Sequence, residues 1–131
     1  MQKSEILIIT ILGTIQYDIR PFAVAMELLA KLLFEYNIPK SDIYFTKHIC
    51  PLTALCLGKS CTAIEKSIYR TSALLWDTIN PHNVVNLFGR KMTVMPAPYD
   101  ILFYMTYLLH HDEPFYHAVK NPILSSFHKE T

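Results

Sequence analysis

The side chains in this chain that could hold a metal or move protons are six histidines and three cysteines, and their spacing suits neither task. The richest cluster, His110-His111-Asp112-Glu113, consists of consecutive residues. Neighbours on a helix point about 100° apart and cannot easily face one ion, so a fraying polar helix end is the simpler reading. Cys50, Cys56 and Cys61 form no C-x-x-C pair, which argues against a zinc site. An odd number of cysteines in a short chain without an export signal points to free thiols in a reducing cytoplasm. No glycine-rich phosphate loop, G-x-S-x-G motif or informative Cys and His spacing occurs. The expectation is a non-enzyme with no cofactor and no metal.

A different chemistry, hydrogen bonding from one helix face, is concentrated after Gly58. Ile64, Ile68, Thr71 and Leu75 recur at i, i+4, i+7 and i+11, which predicts one inward stripe. Glu65, Lys66, Tyr69 and Arg70 are then left facing outward. Ser60 or Thr62 can cap this helix, and Glu65 three residues after Thr62 completes a capping-box pattern. The preceding segment from about Asp42 to Leu57 reads as a helix stopped by Gly58, the residue best able to take φ > 0 there. Ala54 is small enough for two helices to approach, and Ile64 can plug the angle between them. The outline over about 42–78 is that of a helix-turn-helix.

Elements that must position this pair follow from capping and breaking signals. The first helix spans Ser4 to Gly13, capped by Ser4. Its apolar ILIITILGTI run is too short to span a bilayer, has Glu5 at its start, and lacks a cleavage site, so a buried helix is expected rather than a membrane segment. The second follows Asp18, carries Pro21 in its first turn, and ends at Asn37 and Pro39. The third begins at Ser41 or Asp42, kinks at or tolerates Pro51, and stops at Gly58. The fourth runs from about Ser60 to Thr78 and is closed by Asn80-Pro81. A short fifth spans Asn83 to Phe88. The sixth, after Pro96-Ala97-Pro98, spans Asp100 to His111 and is apolar nearly all round, so it is central or paired with a partner. Only Met92 to Met95 has strand-like character, and the tail holds one short helix near Phe115 to Lys120. Tyr99, Tyr104, Tyr107 and Tyr116 with Phe103 and Phe115 read as core or interface aromatics.

The expectation is therefore an all-α fold of about six helices in a single domain, residues 1–131. Hydrophobic residues at 51%, charged residues at 18% and only three glycines suit a compact helical core rather than disorder.

Residues 51 to 76, PLTALCLGKSCTAIEKSIYRTSALLW, with NVVNLFG after them, resemble the DNA-binding effector domain of the sporulation initiation response regulator, stage zero sporulation protein A. The likeness rests on Pro51 opening the first motif helix, the triplet Ile64-Glu65-Lys66, Trp76 ending the second helix, and Leu87-Phe88-Gly89. Upstream, ILGTIQYDIRPF is similar to the family's first helix with one inserted residue, so the resemblance covers roughly residues 5 to 110. It implies a winged-helix-like, response-regulator effector type of helix-turn-helix and a sequence-specific transcriptional regulator of double-stranded DNA in the bacterial cytoplasm. It also implies dimers on tandem half-sites, for which the apolar helix from Asp100 to His111 is a compatible homodimer surface. Full-length members carry a receiver domain ahead of this one, and nothing in this sequence resembles it, so a stand-alone effector is expected.

A recognition helix enters the major groove N-terminus first, which puts Thr62, Ala63, Lys66, Tyr69 and Arg70 nearest to bases and flanking phosphates. The positions matching the family's base-contacting residues are Ala63, Glu65, Lys66 and Tyr69. Where the family carries arginines, this chain has Ala63 and Tyr69, so a different or weaker DNA site is expected. Lys47, His48, Lys59, Ser60, Arg90 and Lys91 flank the motif as phosphate contacts. Net charge is only +1, and this supports an alternative: a protein-interaction module on a helix-turn-helix scaffold that has lost DNA binding.

Overall fold

The computed structural model describes residues 2–13, 17–79 and 92–111. These form five α-helices: α1 Lys3–Leu12, α2 Arg20–Ala30, α3 Cys50–Leu57, α4 Cys61–Ile79 and α5 Pro98–His111. No strand occurs among the described residues. The expected short helix at 83–88, the Asn80-Pro81 stop and the tail helix at 115–120 lie outside them.

α2 is the hub. Pro21 sits in its first turn, where a missing N–H costs nothing, and Phe22, Ala23, Ala25, Met26 and Leu29 are buried against each of the other four helices. The helix loosens into a wide π turn over Lys31–Glu35 and ends at Asn37, which takes the left-handed conformation at φ 55°, ahead of Pro39. That is where the sequence placed its end.

α5 is central, as its apolar composition predicts. Ile101 to Thr106 are all buried within the chain, so that apolarity is accounted for by this core and is no sign of a partner. The hydroxyl of Ser72 donates to the carbonyl of Pro98 at 3.4 Å and ties α4 to the start of α5.

Four expectations need correction. Ser4 does not cap α1: it lies inside the helix, buried, and Gln2 takes the N-cap position, with its N–H donating to Glu5 Oε1 at 3.4 Å. Nor is α1 buried all round, since Ile8 is enclosed while Ile6 and Ile9 face out. The third helix does not begin at Ser41 or Asp42. Lys40–Asp42 is a single 3-10 turn, Ile43 and Tyr44 are extended, and the chain re-enters helix through a π turn over Phe45–Ile49. That wide turn ends just before Pro51, which has no N–H to donate to the turn behind it. Finally, Met92 to Met95 make bends rather than a strand; Met92 and Met95 pack on the core, and among the described residues no strand is present to pair with them.

Candidate nucleic-acid interface

α3 and α4 are joined by three residues. Gly58 closes α3 at φ 64° and ψ 37°, and the Lys59 N–H reaches back to the Ala54 carbonyl at 3.0 Å, the six-to-one bond of a Schellman stop. A Cβ on Gly58 would meet nothing within 4 Å, so a substitution there strains only the backbone. Gly58→Ala is expected to cost about 1 kcal/mol, read as a lowered urea midpoint at unchanged m-value. An unchanged midpoint would mean the left-handed stop is not needed.

Ser60, and not Thr62, caps α4: its Oγ accepts from the Ala63 N–H at 3.1 Å. The third residue after the cap is thus Ala63, and the capping box expected through Glu65 does not form. Burial of Ile64, Ile68, Thr71 and Leu75 matches the inward stripe, with each at most 1% exposed. Thr62, Ala63, Glu65, Lys66, Tyr69 and Arg70 are exposed on the other side, Tyr69 at 63%.

The loop before α2 reaches this face, a contact that the sequence did not disclose. Asp18 accepts from Arg20 through both carboxylate oxygens, at 2.9 Å from Nε and 2.7 Å from Nη2, and from Lys59 Nζ at 3.3 Å. The Arg20 guanidinium is the chief reason that Asp18 titrates well below the usual aspartate range; desolvation opposes it, and the Arg20 N–H and then Lys59 add smaller downward shifts. On the same loop, the Tyr17 ring carries the Arg70 guanidinium 5.0 Å from its centroid. The Ser67 hydroxyl donates to the Asp18 carbonyl at 3.5 Å. The loop, the Gly58 turn and the outer face of α4 therefore form one surface. It offers Arg20, Lys59, Lys66 and Arg70 against Asp18 and Glu65, beside the positive end of the α4 dipole.

The remaining phosphate candidates are placed differently. Lys47 and His48 sit on the π turn ahead of α3, tied to Tyr44 rather than to this surface. Lys47 Nζ lies 5.5 Å from the Tyr44 ring centroid, and His48 Nδ1 accepts from the Tyr44 N–H at 2.8 Å. His48 thus offers only Nε2 to an outside group. Arg90 and Lys91 lie outside the described residues. Tyr17, Asp18 and Arg20 are the members that sequence reasoning missed; the Asp-x-Arg spacing hinted at a local ion pair, but nothing linked it to Lys59.

The thiols surround the α3–α4 junction without joining. Cys50 is buried and donates to the Cys61 carbonyl at 3.3 Å; Cys56 and Cys61 are exposed. Burial pushes the Cys50 thiol up to about 12, with Cys61 and then Glu65 adding to the shift. Iodoacetamide near pH 8 is expected to alkylate Cys56 and Cys61 in the folded protein and Cys50 only after denaturation, as mass spectrometry would show. Equal labelling of all three would contradict the buried placement of Cys50.

At the far end of α5, the His110 ring stacks on Phe34 at 3.8 Å, and His111 meets the same ring edge-on at 5.0 Å. Both histidines pack on an aromatic ring. No helix among the described residues is long and apolar enough to cross a membrane. No protein-family model, curated protein or solved structure matches the chain.

Proposed function

We propose that the chain is a sequence-specific DNA-binding transcriptional regulator of the sporulation-regulator effector type, with α4 as its recognition helix in a helix-turn-helix. The observation that carries this reading is the α3–Gly58–α4 hairpin, in which a sealed apolar stripe leaves Thr62 to Arg70 presenting donors and acceptors at the exposed N-terminal half of α4. Lys66 suits guanine O6 and N7, Glu65 suits a cytosine amino group, and Ala63 suits a thymine methyl. Lys59, with Arg20 beside it, suits flanking phosphates. The setting is the bacterial cytoplasm. A homodimer through α5 would use its last turn, around Tyr107 to His111, because Ile101 to Thr106 are buried in the chain.

The test is a titration against a randomised duplex pool at two salt concentrations, with sequencing of the retained fraction. Salt-sensitive binding with an enriched motif is the expected result. No retention at about 50 mM salt, where phosphate contacts are strongest, would overturn the proposal. It would favour the second reading, a protein-interaction module that has lost DNA binding. A specific observation supports that alternative: Leu55 is 80% exposed and Leu52 43% on the outer side of α3, next to a surface whose Lys59 and Arg70 already have partners within the chain.

A further inference from the structure

α2, the 3-10 turn, the π turn over Phe45–Ile49 and α5 line an open-mouthed pocket of about 500 Å³. That volume falls within the range of sites that take drug-sized molecules. Its inner wall is apolar: Ile49 and Leu102 are 1% exposed, and Phe45 and Phe103 are buried rings. Tyr99 stacks on Phe45 at 4.1 Å and extends the aromatic wall towards the surface. The polar groups gather at the rim. There Lys40 Nζ lies 3.3 Å from Asp100 Oδ1 and 4.7 Å from the centroid of Phe103, and both members of the pair keep about half of their side-chain surface exposed.

We propose that this cavity is a binding site for a small uncharged amphiphile, a molecule with an apolar, preferably aromatic, body and one hydroxyl or amide head. The body is set by the apolar inner wall, where each buried CH₂ contributes about 0.8 kcal/mol. The head is set by the rim. Lys40 donates, Asp100 accepts, and their charges cancel, so an anionic or cationic head meets a like charge as close as its opposite. A hydroxyl can accept from the ammonium and donate to the carboxylate together. The proposal does not rest on the DNA-binding reading, because none of Asp18, Arg20, Lys59, Glu65, Lys66 and Arg70 lines the cavity.

Three probes of one shape test it: 2-naphthol, 2-naphthoate and 2-naphthylmethylammonium, titrated into the full chain near pH 7 by calorimetry and by methyl NMR. Saturable binding of 2-naphthol is expected, with shifts centred on the methyls of Ile49 and Leu102 and an affinity at least tenfold above either charged probe. Ser41 lines the mouth at an exposed position, so Ser41→Trp should reduce 2-naphthol affinity at least tenfold while leaving the circular dichroism spectrum and Tm unchanged. No saturable binding, equal affinity for the three probes, or shifts centred away from Ile49 and Leu102 would overturn the proposal. Because wild-type shifts locate the site by themselves, a Ser41→Trp chain that fails to fold does not protect it.

Discussion

Ile64→Asp is expected to leave the chain without a cooperative unfolding transition. Ile64 is fully buried where α4 turns away from Gly58, and losing a buried branched side chain removes about 2 kcal/mol of transfer free energy. The carboxylate that replaces it has no cation among the enclosed neighbours of the stripe, Ile68, Thr71 and Leu75. It must stay ionised at a cost of several kcal/mol or take up a proton at a smaller one. The sum approaches the whole of a small domain's stability, about 5 to 15 kcal/mol. Far-UV circular dichroism and urea melts decide it, with Ile64→Val as the control at a cost of about 1 kcal/mol. A cooperative melt of Ile64→Asp within about 1 kcal/mol of wild type would show that position 64 faces out and that the hairpin is wrongly oriented.

What made this position legible is that α4 states its own geometry. Nineteen residues give five turns of a 3.6 period, so a stripe of Ile64, Ile68, Thr71 and Leu75 could be read with nothing else known. Gly58 was legible for a related reason: few residues take φ 64° without strain. The start of α3 was not legible. Ser41 and Asp42 carry helix-start chemistry, yet Ile43 and Tyr44 run extended and Phe45 turns inward onto Tyr99, a ring more than fifty residues away. Local capping preference is worth about 1 kcal/mol, and burying a phenylalanine outweighs it. Ser4 illustrates the same limit on a smaller scale, since a cap two residues earlier lets it turn into the core beside Ile8.

The candidate surface was legible as a list and not as an arrangement. Lys59, Lys66 and Arg70 could be picked out because they flank one helix. That Asp18 would hold Lys59 across 41 positions, and that Tyr17 would lie against Arg70, follows from how α2 enters the bundle, which no period in the sequence encodes. The consequence is chemical. Two of the cations selected for DNA contact are engaged within the chain, and only Lys66 among the three is free of such an ion pair or ring contact in the described structure.

That difference gives the second large expected effect. Under the DNA-binding reading, Lys66→Ala should lower affinity for the selected duplex by about 1 to 3 kcal/mol and relax preference at one base pair. Arg70→Ala should also weaken binding but by less, because Tyr17 already competes for the guanidinium. Asp18→Asn should act in the opposite direction. It frees Arg20 and Lys59 from their carboxylate, and two additional phosphate contacts would steepen the slope of log K against log salt by up to about 1.8. The cost in stability should stay below about 1 kcal/mol, since the pair is exposed. The sign with pH is fixed as well: folding depresses the Asp18 titration, so its contribution is complete above the ordinary aspartate value of 3.8 and is lost as pH falls below it. Near neutral pH the aspartate therefore remains a constant competitor for the phosphate. Fluorescence anisotropy at four salt concentrations separates the three variants. Wild-type affinity in both Lys66→Ala and Arg70→Ala would remove α4 as the reading face, and an unchanged salt slope in Asp18→Asn would show that Arg20 and Lys59 do not meet phosphate.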